Sequence, residues 1–321
     1  MSTVNGRIAV IVSEIFKINE LITRFSFVRS DRGQLPAFSG GAHIIIEMND
    51  AGTLRRNPYS LMSNPYTQDQ YSVSIRRDDE GRGGSVYMHT QVTVGRQMFI
   101  SNPVNLFALD LRATKHLMIA GGIGITPFMS QILQLQQLNK NFELHYSVRS
   151  ISLSAYTEKL ADEYTDSVHV YDNERGQALD LTAILSNQPL GTHLYICGPK
   201  GMINWVLQQA INSGWPRSVI HFKEFSIPPS GERFSVTLAK SALEIEVTEH
   251  QSLLEALENA GIDAPYLCRG GACGQCETKV ISHQGSLLHN DHWLDDNERQ
   301  QNKKIMPCVS RFKGQSLILD L

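Results

Sequence analysis

Four of the chain's five cysteines fall in its last 54 residues, and three share one short stretch, Cys268-Arg269-Gly270-Gly271-Ala272-Cys273-Gly274-Gln275-Cys276. The fourth, Cys308, stands apart in Met306-Pro307-Cys308-Val309. This spacing, C-x4-C-x2-C with a distant fourth cysteine, constrains the fold more than any other feature. A loop that wraps a metal centre with three thiolates must turn tightly, and a separate segment must return to complete the set. Gly270, Gly271, Ala272 and Gly274 let backbone N–H groups approach the sulfurs, which tunes the potential of two irons bridged by sulfide. The alternative is zinc held by four thiolates. Such sites usually come as two C-x2-C knuckles, a form that Cys268 and Cys308 break. An odd cysteine count in a reducing compartment speaks against a disulfide framework.

The stretch resembles the plant-type ferredoxins over about residues 232–321. The resemblance implies a β-grasp fold and a one-electron carrier, with Cys268, Cys273, Cys276 and Cys308 on the cluster. The local pattern agrees with that order. Strands are expected at Phe234–Lys240 and Leu243–Val247, followed by a helix opened by a Ser252/Glu255 capping box and then the cysteine loop.

Upstream, the hydrophobic rhythm changes twice. Short β-branched and aromatic runs at Ile8–Val12, Leu21–Val28, His43–Met48, Tyr59–Met62, Tyr71–Arg76 and Gln97–Ser101 are separated by turn signals, which predicts a small closed barrel. From Lys115, apolar strand-like runs (His116–Ala120, Phe142–Val148, Val168–Tyr171, His193–Cys197, Val219–Glu224) alternate with helical spacing at Thr126–Leu138, Ser154–Glu163 and Lys200–Ser213. That alternation predicts a parallel sheet covered by helices, with a nucleotide at the C-terminal ends of its strands. Paired prolines in Ile227–Arg233 mark a linker. The expected organisation is multi-domain: residues 1–110 a β-barrel, 111–226 an α/β domain, 227–232 a linker, and 233–321 a 2Fe–2S ferredoxin domain, and motifs within the first two resemble those of flavin-binding and nicotinamide-binding domains.

The run His116–Ala120 enters Gly121-Gly122-Ile123-Gly124-Ile125-Thr126-Pro127, a strand, glycine turn and helix start suited to a pyrophosphate. It lacks the G-x-G-x-x-G fingerprint, and a ligand-free βα turn is the bland alternative. A second strand, His193–Cys197, ends in Cys197-Gly198-Pro199. Together the two turns resemble the ferredoxin–NADP reductase superfamily. The resemblance implies that Gly121, Gly122, Gly124 and Thr126 line the dinucleotide site and that Cys197 and Gly198 lie by the reactive carbon. Phe225 would cover the flavin face. A core thiol and a core phenylalanine are the corresponding plain readings.

Arg55-Arg56-Asn57-Pro58-Tyr59-Ser60-Leu61 resembles the superfamily's R-x-Y-S-L flavin motif. Tyr59 would pack on the ring and Ser60 would hydrogen-bond near its N5, but Asn57 stands where the phosphate-binding arginine is expected, so Arg55 or Arg56 is left to substitute. Gly83, Gly84 and Ser85 open a short predicted helix and form a candidate phosphate loop. This arrangement, with the ferredoxin domain last, resembles the phthalate dioxygenase reductase branch and, within it, the reductase components of carnitine-type monooxygenases. The resemblance implies FMN, NADH and a 2Fe–2S cluster as cofactors, with a Rieske-type oxygenase as the partner. Ser60, Thr126, Cys197 and Phe225 would frame hydride transfer. Alternatives are a reductase for another one-electron acceptor and a non-enzymatic iron–sulfur sensor.

Charge sharpens the partner question. The whole chain carries −3, too near neutral for a nucleic-acid binder. Residues 231–321 hold nine lysines and arginines against thirteen aspartates and glutamates, a net −4 that suits a basic docking face. The N-terminal run lacks a signal-peptide plan and no apolar stretch reaches spanning length, so a cytoplasmic protein is expected.

Overall fold

The computed structural model describes residues 6–50, 52–225 and 228–321, so Ala51, Ser226 and Ile227, the last opening the expected linker, lie outside the described residues. Three sheets follow one another along the chain. The first is antiparallel and six-stranded: β1 (Ile8–Lys17), β2 (Ile22–Arg29), β3 (His43–Asp50), β4 (Thr53–Ser60), β5 (Tyr71–Arg76) and β6 (Gln97–Ile100), in the order β4-β3-β6-β1-β2-β5. It curls into a near-closed barrel around Val10, Phe25, Phe27, Ile44, Ile46, Tyr71 and Val73. Helix α1 (Gly84–Gln91) plugs one end, with Tyr87 and Met88 turned inward.

One strand differs from expectation. The sequence points to Tyr59–Met62, whereas β4 spans Thr53–Ser60 and runs through Arg55, Arg56 and Pro58. Two charges and a proline hide the strand, yet β4 ends the sheet order, where a missing N–H leaves no ladder bond unmade.

The second sheet is parallel: β7 (Lys115–Gly121), β8 (Asn141–Val148), β9 (Val168–Asp172), β10 (Thr192–Cys197) and β11 (Ile220–Lys223), in the order β11-β10-β7-β8-β9. Helices α2 (Thr126–Gln137), α3 (Thr157–Glu163), α4 (Leu181–Ser186) and α5 (Lys200–Asn212) flank it. Separate apolar cores lie on its two faces. Helix α3 begins three residues later than the sequence suggests, after a 3-10 turn at Ile151–Leu153, and α4 was not anticipated. The barrel is fastened to this domain through α2. Gly41 N–H donates to Ser130 Oγ at 3.1 Å and Gly40 N–H to Gln134 Oε1 at 2.6 Å.

The third sheet contains β12 (Phe234–Leu238), β13 (Leu243–Val247), β14 (Thr278–Leu288), β15 (Lys304–Ile305) and β16 (Arg311–Leu319), with α6 (Leu253–Asn259) packed on it and α7 (Asp296–Gln301) near β15. The predicted capping box is formed: Ser252 Oγ accepts from Glu255 N, and the Glu255 carboxylate accepts from Ser252 N. The described part of the linker, 228–233, has neither strand nor helix. Arg311 ties it down by donating to the carbonyls of Gly231 and Glu232. Among the described residues, no helix is long and apolar enough to cross a membrane.

Candidate functional site

A cavity of about 450 Å³ opens where the three sheets meet. The barrel contributes Arg56–Ser60 from β4 together with Gly84 and Ser85 at the start of α1. The parallel sheet contributes Ile123, Thr126 and the segment Phe222–Phe225, and the cysteine domain contributes Cys268, Ala272 and Cys308. The expected flavin, nicotinamide and cluster elements therefore share one space.

On the barrel wall, Tyr59 is half-buried, and its hydroxyl accepts from Asn57 Nδ2 at 3.3 Å. Burial pushes the Tyr59 phenol up to about 12, so it stays protonated. Ser60 is 5% exposed, and its buried Oγ has no partner. A buried hydroxyl left unbonded is costly unless a ligand supplies the bond. His43, the register partner of Ser60 on β3, also faces the cavity with both ring nitrogens unbonded. Burial, with the Lys223 charge nearby, holds its imidazole neutral, well below the usual histidine range. The sequence reading missed His43 because it opens an apolar strand run. Its only signal is a polar residue on the inward face.

At the candidate phosphate end the two arginines left open by the sequence take different places. Arg56 is committed to two carboxylates, Glu47 Oε1 at 3.2 Å and Glu258 Oε2 at 2.8 Å, so it is not free to hold a phosphate. Arg55 instead lies beside Gly83: a Cβ on that glycine would be 3.7 Å from Arg55 Nε, a buried nitrogen without a partner. Asn57 presses its amide against Gly84, where a Cβ would sit 2.3 Å from Nδ2, so a side chain there would displace the Asn57 amide. The Ser85 hydroxyl is already engaged with both the N–H and the carbonyl of Asp78. What remains for an anion is the left-handed Gly83, the first N–H groups of α1, Asn57 and Arg55.

On the nicotinamide side the glycines divide by role. A Cβ on Gly124 would meet the Cys197 carbonyl oxygen at 2.2 Å, and one on Gly198 would meet the Gly121 backbone at 3.1 Å. Gly124 is thus required for the two βα turns to pack together, and Gly121 and Gly198 approach each other closely there. Gly122 differs, with φ +52° and open space where a side chain would be, and it is the one free to approach a ligand. Thr126 begins α2 and lines the cavity, with Oγ1 donating to the Ile123 carbonyl at 3.0 Å. Cys197 is fully buried in the core, where burial pushes its thiol up to about 12. It does not line the cavity. Phe225 does, at 37% exposure, with the Lys223 ammonium 6.0 Å from its ring centre. Lys223 is a residue the sequence reading passed over. It donates to the Gly41 carbonyl at 3.3 Å, and burial lowers its pKa to about 8.

The four expected cysteines converge as two pairs. The sulfurs of Cys276 and Cys308 lie 3.2 Å apart, and Cys268 accepts a hydrogen bond from the Cys273 thiol. Those thiol bonds lower Cys268 and Cys276 below the ordinary thiol value. Gly270 N–H also points at Cys268 Sγ, 3.4 Å away. Three of the thiols are buried and Cys273 is half-exposed. Paired sulfur donors, a loop turned by left-handed Gly271 and Gly274, and amides directed at sulfur fit a two-iron cluster.

Charged contacts hold this domain at the cavity. Glu258 of α6 bridges Arg56 of the barrel to Arg269 of the cysteine loop. His292 Nε2 lies 3.1 Å from Glu224 Oε2.

A model of the dimethylamine monooxygenase subunit DmmA-like N-terminal domain matches residues 99–220, and one of the 2Fe-2S iron-sulfur cluster binding domain matches 236–313. The chain is 43% identical to a carnitine monooxygenase reductase subunit of Acinetobacter baumannii, over 97% of each chain. It is 40% identical to the heme-dependent oxidative N-demethylase beta subunit of Ectopseudomonas mendocina, also over 97% of each. Among solved structures it is similar to phthalate dioxygenase reductase, described as a modular structure for electron transfer from pyridine nucleotides to [2Fe-2S]. That match has a TM-score of 0.89 and 31% identity, and it covers 98% of both chains.

Proposed function

The chain belongs to the family of reductase subunits of oxygenase systems, and from that membership we propose that it draws electrons from NADH at FMN and passes them through a 2Fe–2S cluster to a Rieske-type oxygenase. A bound flavin supplies the conversion between a two-electron hydride donor and a one-electron cluster. One observation carries the reading: Cys268 and Cys308 line the same cavity as Tyr59, Ser60, Thr126 and Phe225.

The protein's own residues have definable tasks in this scheme. Tyr59 gives the ring an apolar wall, and Ser60 Oγ offers the unbonded hydroxyl that orients it. Arg55, Asn57 and the Gly83–Gly84 amides hold the phosphate. Gly122 and Thr126 receive the dinucleotide at the N-terminus of α2, and Phe225 covers the reacting face until the nicotinamide displaces it. Cys197 acts through packing, closing β10 under the Gly121–Gly124 turn. Cys268, Cys273, Cys276 and Cys308 hold the cluster, and Glu258 keeps it against the flavin wall.

The carnitine monooxygenase relatives support an oxygenase acting on a quaternary amine such as carnitine. The N-demethylase relative favours a second reading, in which the acceptor carries haem.

Anaerobic NADH titration of the purified protein tests the proposal: flavin and cluster absorbance should bleach together, and denaturation should release FMN. Cys308→Ser should abolish reduction of cytochrome c while sparing small dyes; equal loss of both would refute the serial route. Side-by-side reduction of a carnitine monooxygenase oxygenase and a haem-dependent N-demethylase separates the two acceptors.

A further inference from the structure

We infer that Trp293 is the aromatic anchor through which the oxygenase docks on the exit side of the cluster, an inference that rests on the reductase reading above. The cluster loop has two unlike sides. Cys268, Ala272 and Cys308 line the flavin cavity, whereas Cys273 and Trp293, among the described residues, do not. Cys273 is also the half-exposed thiol of the four. The one cluster thiol that is not buried thus lies off the flavin cavity, on the side open to a partner.

Trp293 covers that side. The indole lies directly on the loop: a Cβ on Gly274 would fall 2.2 Å from its Cε2 and 2.5 Å from its Cδ2. Gly274 is next to Cys273, and its φ of +71° turns the loop under the ring. Despite this contact the side chain is 50% exposed. It is also held rigid. The Asp291 carboxylate, whose side chain has no exposed surface, accepts from Trp293 N at 3.2 Å and Leu294 N at 2.9 Å. The indole Nε1–H donates to Glu277 Oε2 at 3.2 Å. Leu294 is buried at 2% exposure, which pins the turn from below. A large aromatic that is half-exposed yet fixed loses little entropy on binding, the property of interface hot spots.

The surroundings select the partner's chemistry. Glu277, Asp295, Asp296 and Glu298 outnumber the two cations that pair with them, Lys304 and Arg299. The Asp296 side chain is 94% exposed. The fitting partner is an oxygenase surface with an apolar socket for the indole and basic side chains around it, continuous with the −4 charge of the domain.

The test uses the holoprotein with four acceptors: the oxygenase subunits of carnitine monooxygenase, vanillate O-demethylase and phthalate 4,5-dioxygenase, and cytochrome c. For the acceptor best reduced by the wild type, Trp293→Ala should raise KM by about tenfold or more, and Trp293→Phe should restore most of it. Saturated turnover, NADH–ferricyanide activity and the rate of cluster bleaching by NADH should stay within about twofold of wild type. Asp296→Asn should raise KM and lessen its dependence on salt. An unchanged KM in Trp293→Ala overturns the anchor while leaving the reductase reading intact, as does slowed cluster bleaching, which would make the residue structural. A wild type that reduces ferricyanide but none of the four acceptors defeats the reductase reading and the anchor with it.

Discussion

Arg82 reaches from the barrel loop to place Nη1 2.5 Å from Glu255 Oε2, and the two side chains are only 8% and 7% exposed. The same carboxylate caps α6, so one group serves as a helix cap and as a link between domains. Burial alone would raise the Glu255 pKa, but Arg82 and the Ser252 bonds outweigh it and hold the carboxyl below its ordinary value. A depressed carboxyl contributes stability in full above its unfolded value of about 4.3 and loses it as pH falls through the folded value. Arg82→Gln leaves a buried carboxylate uncompensated, at a cost of about 3 kcal/mol. Melting of the variant across pH should show a lower midpoint near neutrality and a flatter acid limb than wild type; parallel curves would mean that the pair does not stabilise the docked domain.

Arg55 and Arg56 are adjacent on β4, so their side chains leave opposite faces, and their variants should separate. Arg55→Ala should weaken FMN binding about ten- to hundredfold, the worth of one charged hydrogen bond. Arg56→Ala should retain FMN and slow electron transfer to the cluster, since Glu258 loses its link to the barrel. Flavin retention on dialysis and stopped-flow bleaching of the cluster distinguish the two, and a reversed pattern would reassign the phosphate site.

Ser60→Ala removes the unbonded buried hydroxyl without opening a large cavity. Flavin reduction by NADH should slow about tenfold, the equivalent of one lost hydrogen bond of about 1.4 kcal/mol. Stopped-flow absorbance reads this directly, and an unchanged rate would show that the hydroxyl makes no bond to the cofactor.

Gly274→Ala places a methyl in the Trp293 ring and strains a left-handed φ. The variant should lose cluster occupancy, measured as iron and acid-labile sulfide per chain. Adding Trp293→Ala should recover part of it, because the clash disappears and only the backbone strain remains. Equal loss in the double variant would assign the whole effect to φ.

Elements whose signal is local were legible in the sequence. The Cys268–Cys276 loop, the Ser252/Glu255 cap and the alternating strands of the parallel sheet each depend on residues within a few positions of one another. Their chemistry follows from donor type and spacing, so order along the chain suffices. The division of labour between Arg55 and Arg56, the burial of Cys197, the unbonded ring of His43 and the half-buried Lys223 were decided only when the three sheets met. Arg56 is diverted by Glu258, 202 positions away, and Gly124 is required by the Cys197 carbonyl at the end of β10, two strands and three helices later in the chain. No periodicity records such partners, because desolvation and pairing energies depend on which surfaces close over a group, and that is a property of the assembled fold.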